Sequence, residues 1–96
     1  FGMFSESSFI RANLYESNLQ GANLEQSDFT SSNLTKANLK GATLIGANFK
    51  NANLMEADLT SANISDANFE GSNLNDTVWV DGKKCQLGSI GKCINE

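Results

Sequence analysis

The sequence predicts an all-β solenoid: a right-handed quadrilateral β-helix of about four coils with a short C-terminal cap. Three observations carry that expectation. A large apolar residue returns at every fifth position from Phe4 to Trp79, passing through Phe9, Leu14, Leu24, Leu34, Leu44, Leu54 and Ile64. Two positions before these centres stand small residues, among them Ser7, Ala12, Ser17, Ala22, Ala47 and Thr77. Finally, Phe9, Phe29, Phe49 and Phe69 recur at intervals of twenty, so the short period is nested inside a long one. Periods of this kind mark stacked repeats. The chain winds with four repeats per turn, and each phenylalanine lies above the last.

The repeat itself excludes the other regular structures. An α-helix turns about 100° per residue, so a period of five smears the apolar pair around the axis and leaves no stripe to face a core. In a straight strand the small residue and the centre point the same way, being two apart. Five is odd, however, and the next pair would face the opposite side. The pattern survives only where the chain turns a corner once per repeat, with both residues pointing inward on every side.

The other three positions belong to the outside and the corners. The residue before most centres is Asn or Asp, as at Asn13, Asn18, Asn23, Asp28, Asn33, Asn38 and Asn53. Such side chains bond nearby backbone groups and tolerate turn conformations. Gly21, Gly41, Gly46 and Gly71 all stand two positions after a centre, where a type II turn needs a positive φ. Proline is absent, as expected of a backbone whose N–H groups are committed to ladders.

These residues resemble the pentapeptide repeat family, whose motif is Ala, then Asn or Asp, then Leu or Phe, then two variable residues. Ala22-Asn23-Leu24, Ala37-Asn38-Leu39, Ala47-Asn48-Phe49, Ala57-Asp58-Leu59 and Ala67-Asn68-Phe69 match it. The resemblance covers residues 1–79 and implies the four-sided β-helix. It implies a scaffold rather than a reaction, because one fold hosts many functions. Residues 1–79 are thus expected to form the β-helix and 80–96 its cap, in a single domain.

In the closing segment Val78 takes the Asn position and Trp79 becomes the centre. A β-helix end exposes unpaired backbone and an open apolar column, so it needs a cover. Trp79 has the size for a lid, with Val80, Leu87 and Ile90 as supporting groups. Cys85 and Cys93, the two cysteines of the chain, both lie here. A disulfide between them is the expected reading, with two free thiols and a metal site as the alternatives. Metal binding lacks partners, since the chain has no His and no second Cys pair. The Trp79-to-Cys93 arrangement looks like the closing segment of many bacterial members of the family. A disulfide would imply an oxidising compartment.

At the other end Phe1 is not an initiator Met, and Gly2-Met3-Phe4 is already in register. The chain is therefore expected to begin inside a coil, leaving an uncapped edge through which end-to-end association could occur.

Function is expected to lie on the surface. There is no nucleophile elbow, phosphate-binding glycine loop or metal-ligand cluster, so no catalytic, cofactor-binding or metal residue is named and no cofactor is expected. The structural core is assigned to Phe9, Phe29, Phe49, Phe69 and Trp79. Tyr15 and Met55, which share one corner column with Ile10 and Ile45 on others, are the candidate contact surface for an unidentified protein partner. In the neighbouring column Glu16, Lys36, Glu56 and Asp76 read as a partly alternating charge ladder. No apolar run approaches the ~20 residues of a membrane span, and a net charge of −4 argues against nucleic-acid binding.

The expected function is a non-catalytic scaffold or protein-interaction module of an exported compartment. Resemblance points to the thylakoid lumen, with the bacterial periplasm as the alternative. The competing function is DNA mimicry toward a type II topoisomerase such as gyrase, which some acidic members of the family perform. Residues 1–80 carry nine acids against four bases, a net of −5. Arg11, Lys36, Lys40 and Lys50 interrupt the acids, so no face is uniformly negative.

Overall fold

In the computed structural model, which describes residues 4–95, the repeat folds as a rectangular coil. The expected register of Gly2 lies outside the described residues. Parallel bridges pair each Asx position with the one twenty residues on, from Ser8↔Asp28 and Asn13↔Asn33 to Asn53↔Asn73 and Asp58↔Val78. Two-residue turns separate successive bridges, so each turn of the coil has four short sides. The first side runs through 7–9, 27–29, 47–49 and 67–69. The second runs through 12–14 to 72–74, the third through 17–19 to 77–79, and the fourth through 22–24, 42–44 and 62–64. No α-helix occurs among the described residues.

Each side is tied to the next coil by a fixed set of bonds. On the first side Phe29 N–H donates to Asn48 C=O at 2.7 Å, and Asn48 N–H donates back to Ser27 C=O at 3.0 Å. At the corner Ser31 N–H reaches Lys50 C=O at 2.9 Å. The corner closes through Ser32 N–H to Phe29 C=O at 3.0 Å. Donors and acceptors are therefore used inside the coil, and proline would interrupt nearly any of these positions.

The corners hold a finding that glycine alone did not signal. Gly21, Gly41, Gly46 and Gly71 have positive φ as expected, but so do eleven non-glycine residues at the equivalent position, including Arg11, Lys36, Glu56 and Asp66. A left-handed conformation costs an ordinary residue roughly 1–2 kcal/mol. At each of these non-glycine corners but Asp66 the corner N–H is bonded to the coil or return segment above, and the flanking centres sit in the core, so the stack imposes the conformation on whatever residue stands there.

Inside, the small residue and the centre of each side interdigitate. Leu24, Leu34, Leu44, Leu54 and Leu59 are fully buried, with Ala47 and Ala57 between them. The phenylalanine column forms as expected. Ring centroids of Phe9–Phe29, Phe29–Phe49 and Phe49–Phe69 are 4.9, 4.8 and 5.0 Å apart and within 6° of parallel. That spacing is the strand separation itself. Phe29 and Phe49 are fully buried, while Phe9, Phe69 and Trp79 are partly buried at the ends of the cluster. Two inward hydroxyls, on Ser17 and Ser32, are buried without a hydrogen-bond partner. By contrast Thr77 Oγ1 donates to Leu54 C=O at 2.6 Å.

After Trp79 the chain reverses instead of entering another side. Gly82 N–H bonds Trp79 C=O at 2.9 Å, and the strand returns antiparallel over the third and second sides through Val78↔Lys84 and Asn73↔Ile90. Trp79 meets Phe69 edge-on at 5.3 Å and ends the ring column, as its size suggested. Val80 packs partly buried beside it. Leu87 and Ile90, expected to support the lid, do not, being 88% and 56% exposed. Leu87 sits at the tip of the turn over the Asn75–Asp76 corner, and the bridge residue Ile90 points away from the core. Cys85 takes the inward position instead and joins Cys93 in a disulfide, with Cα atoms 5.1 Å apart.

Candidate interaction surface

The outward residue of each side is occupied with its own corner. Asn33, Asn38, Asn48, Asn53, Asn63 and Asn68 each accept, through Oδ1, the N–H two residues on, at 2.9–3.1 Å. These Asx turns explain the residue preference: the side-chain oxygen satisfies the first corner N–H, which the coil above does not use. They are structural bonds repeated along every face, and they single out no site.

Asp58 differs from its neighbours. Its carboxylate accepts from Thr60 N–H at 2.9 Å and Thr60 Oγ1 at 2.6 Å, and lies 3.7 Å from Lys40 Nζ. Burial pushes its carboxyl up, but the two Thr60 bonds and the Lys40 ammonium outweigh burial and hold it below the usual carboxylate value. A depressed folded value stabilises the fold above the unfolded pKa of ~3.9 and loses that contribution as pH falls through the folded one. Asp58→Asn should therefore lower the melting temperature at pH near 7 and cease to matter in strong acid. A deficit that persists unchanged at pH near 2 would show that the charge is not the cause. The expected Glu16–Lys36–Glu56–Asp76 ladder is not where ions meet: among the described residues the ion pair is Lys40–Asp58, on another face.

Tyr15 and Met55 do share a corner column, with Thr35 between them; Glu16 N–H bonds Thr35 C=O and Lys36 N–H bonds Met55 C=O, each at 3.0 Å. Tyr15 is 48% exposed. Met55 is half-buried, so the two offer unequal surfaces. Ile10 is exposed on the next corner and Ile45 is half-buried. Sequence reasoning missed Leu87 and Ile90 as surface groups because it assigned them to a lid. No group of His, Cys, Asp and Glu among the described residues could hold a metal ion. No helix among them is long and apolar enough to cross a membrane.

A family profile described as the pentapeptide repeat region matches residues 3–79. The chain belongs to the pentapeptide repeat family. Among solved structures this pentapeptide repeat protein is similar to Rfr23 from the cyanobacterium Cyanothece, at 38% identity over 69% of this chain and 48% of that one, with a TM-score of 0.44. It is similar to alr5209 from Nostoc at 32% identity over 77% of this chain and 65% of that one, TM-score 0.41. A pentapeptide repeat protein of the Arabidopsis thaliana thylakoid lumen matches at 21% identity over 96% and 83%, TM-score 0.35. The chain thus spans about half to two thirds of the length of the two cyanobacterial structures. No curated protein sequence matches it.

Proposed function

We propose that this pentapeptide repeat protein is a non-catalytic scaffold or protein-interaction module of an exported compartment, the thylakoid lumen ahead of a bacterial periplasm. The Cys85–Cys93 disulfide carries the reading. Disulfides persist in oxidising compartments and are rare where thiols are kept reduced. The fold in this reading is right-handed, with about four coils in 1–79 and a cap in 80–96. Its interior is filled by stacked side chains, so recognition falls to the outer surface, where Tyr15 with Met55 is the first candidate. End-to-end association of copies along the coil axis belongs to the same proposal.

Fractionation of producing cells, with a gyrase supercoiling assay on the purified protein, tests the reading. Recovery in the exported fraction without gyrase inhibition is the expected result. Cytosolic recovery together with inhibition would establish the DNA-mimic function in its place.

A further inference from the structure

The return segment closes two sides of the last coil with one repeated pair of bonds. On the second side Gly91 N–H donates to Ser72 C=O at 2.8 Å and Leu74 N–H to Ser89 C=O at 2.7 Å. On the third, Cys85 N–H donates to Thr77 C=O and Trp79 N–H to Lys83 C=O, both at 2.8 Å. In each case the small residue lends its carbonyl and the centre lends its N–H. The hairpin at 79–82 starts the return too early to cover the fourth side. Gly91 is the last residue bonded to the coil, and the disulfide draws Cys93 back toward Cys85.

The same groups are consequently open on the other two sides. Ala62 and Ala67 C=O, and the N–H groups of Ile64, Asp66 and Phe69, have no partner among the described residues, whereas Gly71 N–H lies beneath Gly91. One coil below, the equivalent groups are bonded, as in Phe49 N–H to Asn68 C=O at 2.6 Å and Asn68 N–H to Ala47 C=O at 2.9 Å. Ile64 and Phe69 are half-buried where Leu44 and Phe49 are fully buried. An unpaired edge above an incompletely covered core is a template for an added strand.

We propose that this edge, along 62–69, is a strand-addition site for an extended, cationic segment of another protein. The occupant's character follows from the strand already seated on the adjoining sides. Its inward residues, Cys85 and Ser89, are small and buried, and its outward Lys84 is exposed. The open first side lies between the exposed carboxylates Asp66 and Glu70. The fitting segment runs antiparallel to the coil, with small or β-branched residues inward alternating with Lys or Arg outward. The chain's own cationic strand, at Lys83 and Lys84, is committed to the third side of its own coil, so a second copy could meet this edge only end to end, an outcome separated by its dependence on protein concentration. The proposal rests on the interaction-module reading and is independent of the compartment.

A ¹⁵N-labelled protein titrated with a synthetic peptide alternating Val or Ser with Lys tests it. The amides of Ile64, Asp66 and Phe69 are expected to shift and to exchange more slowly with solvent, while those of Leu74 and Trp79 hold still. The Asp66→Lys/Glu70→Lys variant, changed only at exposed corners, should bind about tenfold more weakly. A backbone N-methylated peptide should not bind. No shift at millimolar peptide, equal binding by the charge-reversed variant, or protection that grows with protein concentration alone would overturn the proposal. Shifts centred on the Tyr15 corner would also overturn it, while leaving the interaction-module reading intact.

Discussion

Phe49→Ala is expected to destabilise the protein by about 3–5 kcal/mol, the range for truncating a buried phenylalanine. Phe49 is fully buried and is stacked at 4.8 Å on Phe29 and 5.0 Å on Phe69. The ladders fix the coil spacing, so the walls cannot collapse into the void, and the cost belongs near the upper end. Denaturant unfolding monitored by far-ultraviolet circular dichroism measures it. Two controls bracket the effect. Ser32→Ala removes a buried hydroxyl that has no partner and should be neutral or mildly stabilising. Lys50→Ala, at an exposed corner, should stay within about 0.5 kcal/mol. A Lys50 effect as large as that of Phe49 would mean that inward and outward positions have been exchanged.

Breaking the Cys85–Cys93 disulfide should cost about 2–3 kcal/mol, the loop-closure value for a sequence separation of 8. Cys93→Ser is the variant of choice, since Cys93 is only partly buried whereas Cys85 is 1% exposed. The midpoint of denaturant unfolding should fall by the same amount for Cys93→Ser and for the wild type under reductant. Intact mass after alkylation should show two labels only once the protein has been reduced. The loss should concentrate in the return segment, where Asp76 N–H to Cys85 C=O at 3.0 Å and Gln86 N–H to Ile94 C=O at 2.6 Å depend on that closure. Equal stability with and without reductant would show that the bond adds nothing to the fold.

The coil was legible in the sequence because its two periods are arithmetical. Alternation inside each five-residue repeat set the inward pair, and the Phe9–Phe29–Phe49–Phe69 spacing set the number of sides. The corners were half legible. Glycine marked four of them, but Lys36 or Glu56 in a left-handed conformation has no local signature, because that conformation is forced by the coils above and below. The return segment was least legible. It obeys no period, and whether Leu87 or Cys85 turned inward depended on where the hairpin began. The interaction surface was opaque for a related reason: exposure of Tyr15 and half-burial of Met55 arise from their neighbours in adjacent coils, not from anything within their own repeats.

Every parallel bridge among the described residues joins positions twenty apart. Length in such a chain is therefore quantised. Adding or deleting one full circuit leaves each column in line and merely lengthens or shortens the stack by one coil. A change of five residues, though it preserves the repeat perfectly, rotates everything upstream by a quarter circuit. The phenylalanines would then fall over leucines, and Tyr15 would move to a different edge of the prism relative to Trp79. Local regularity and global phase are thus separate constraints, and only the second fixes which surface groups share a face.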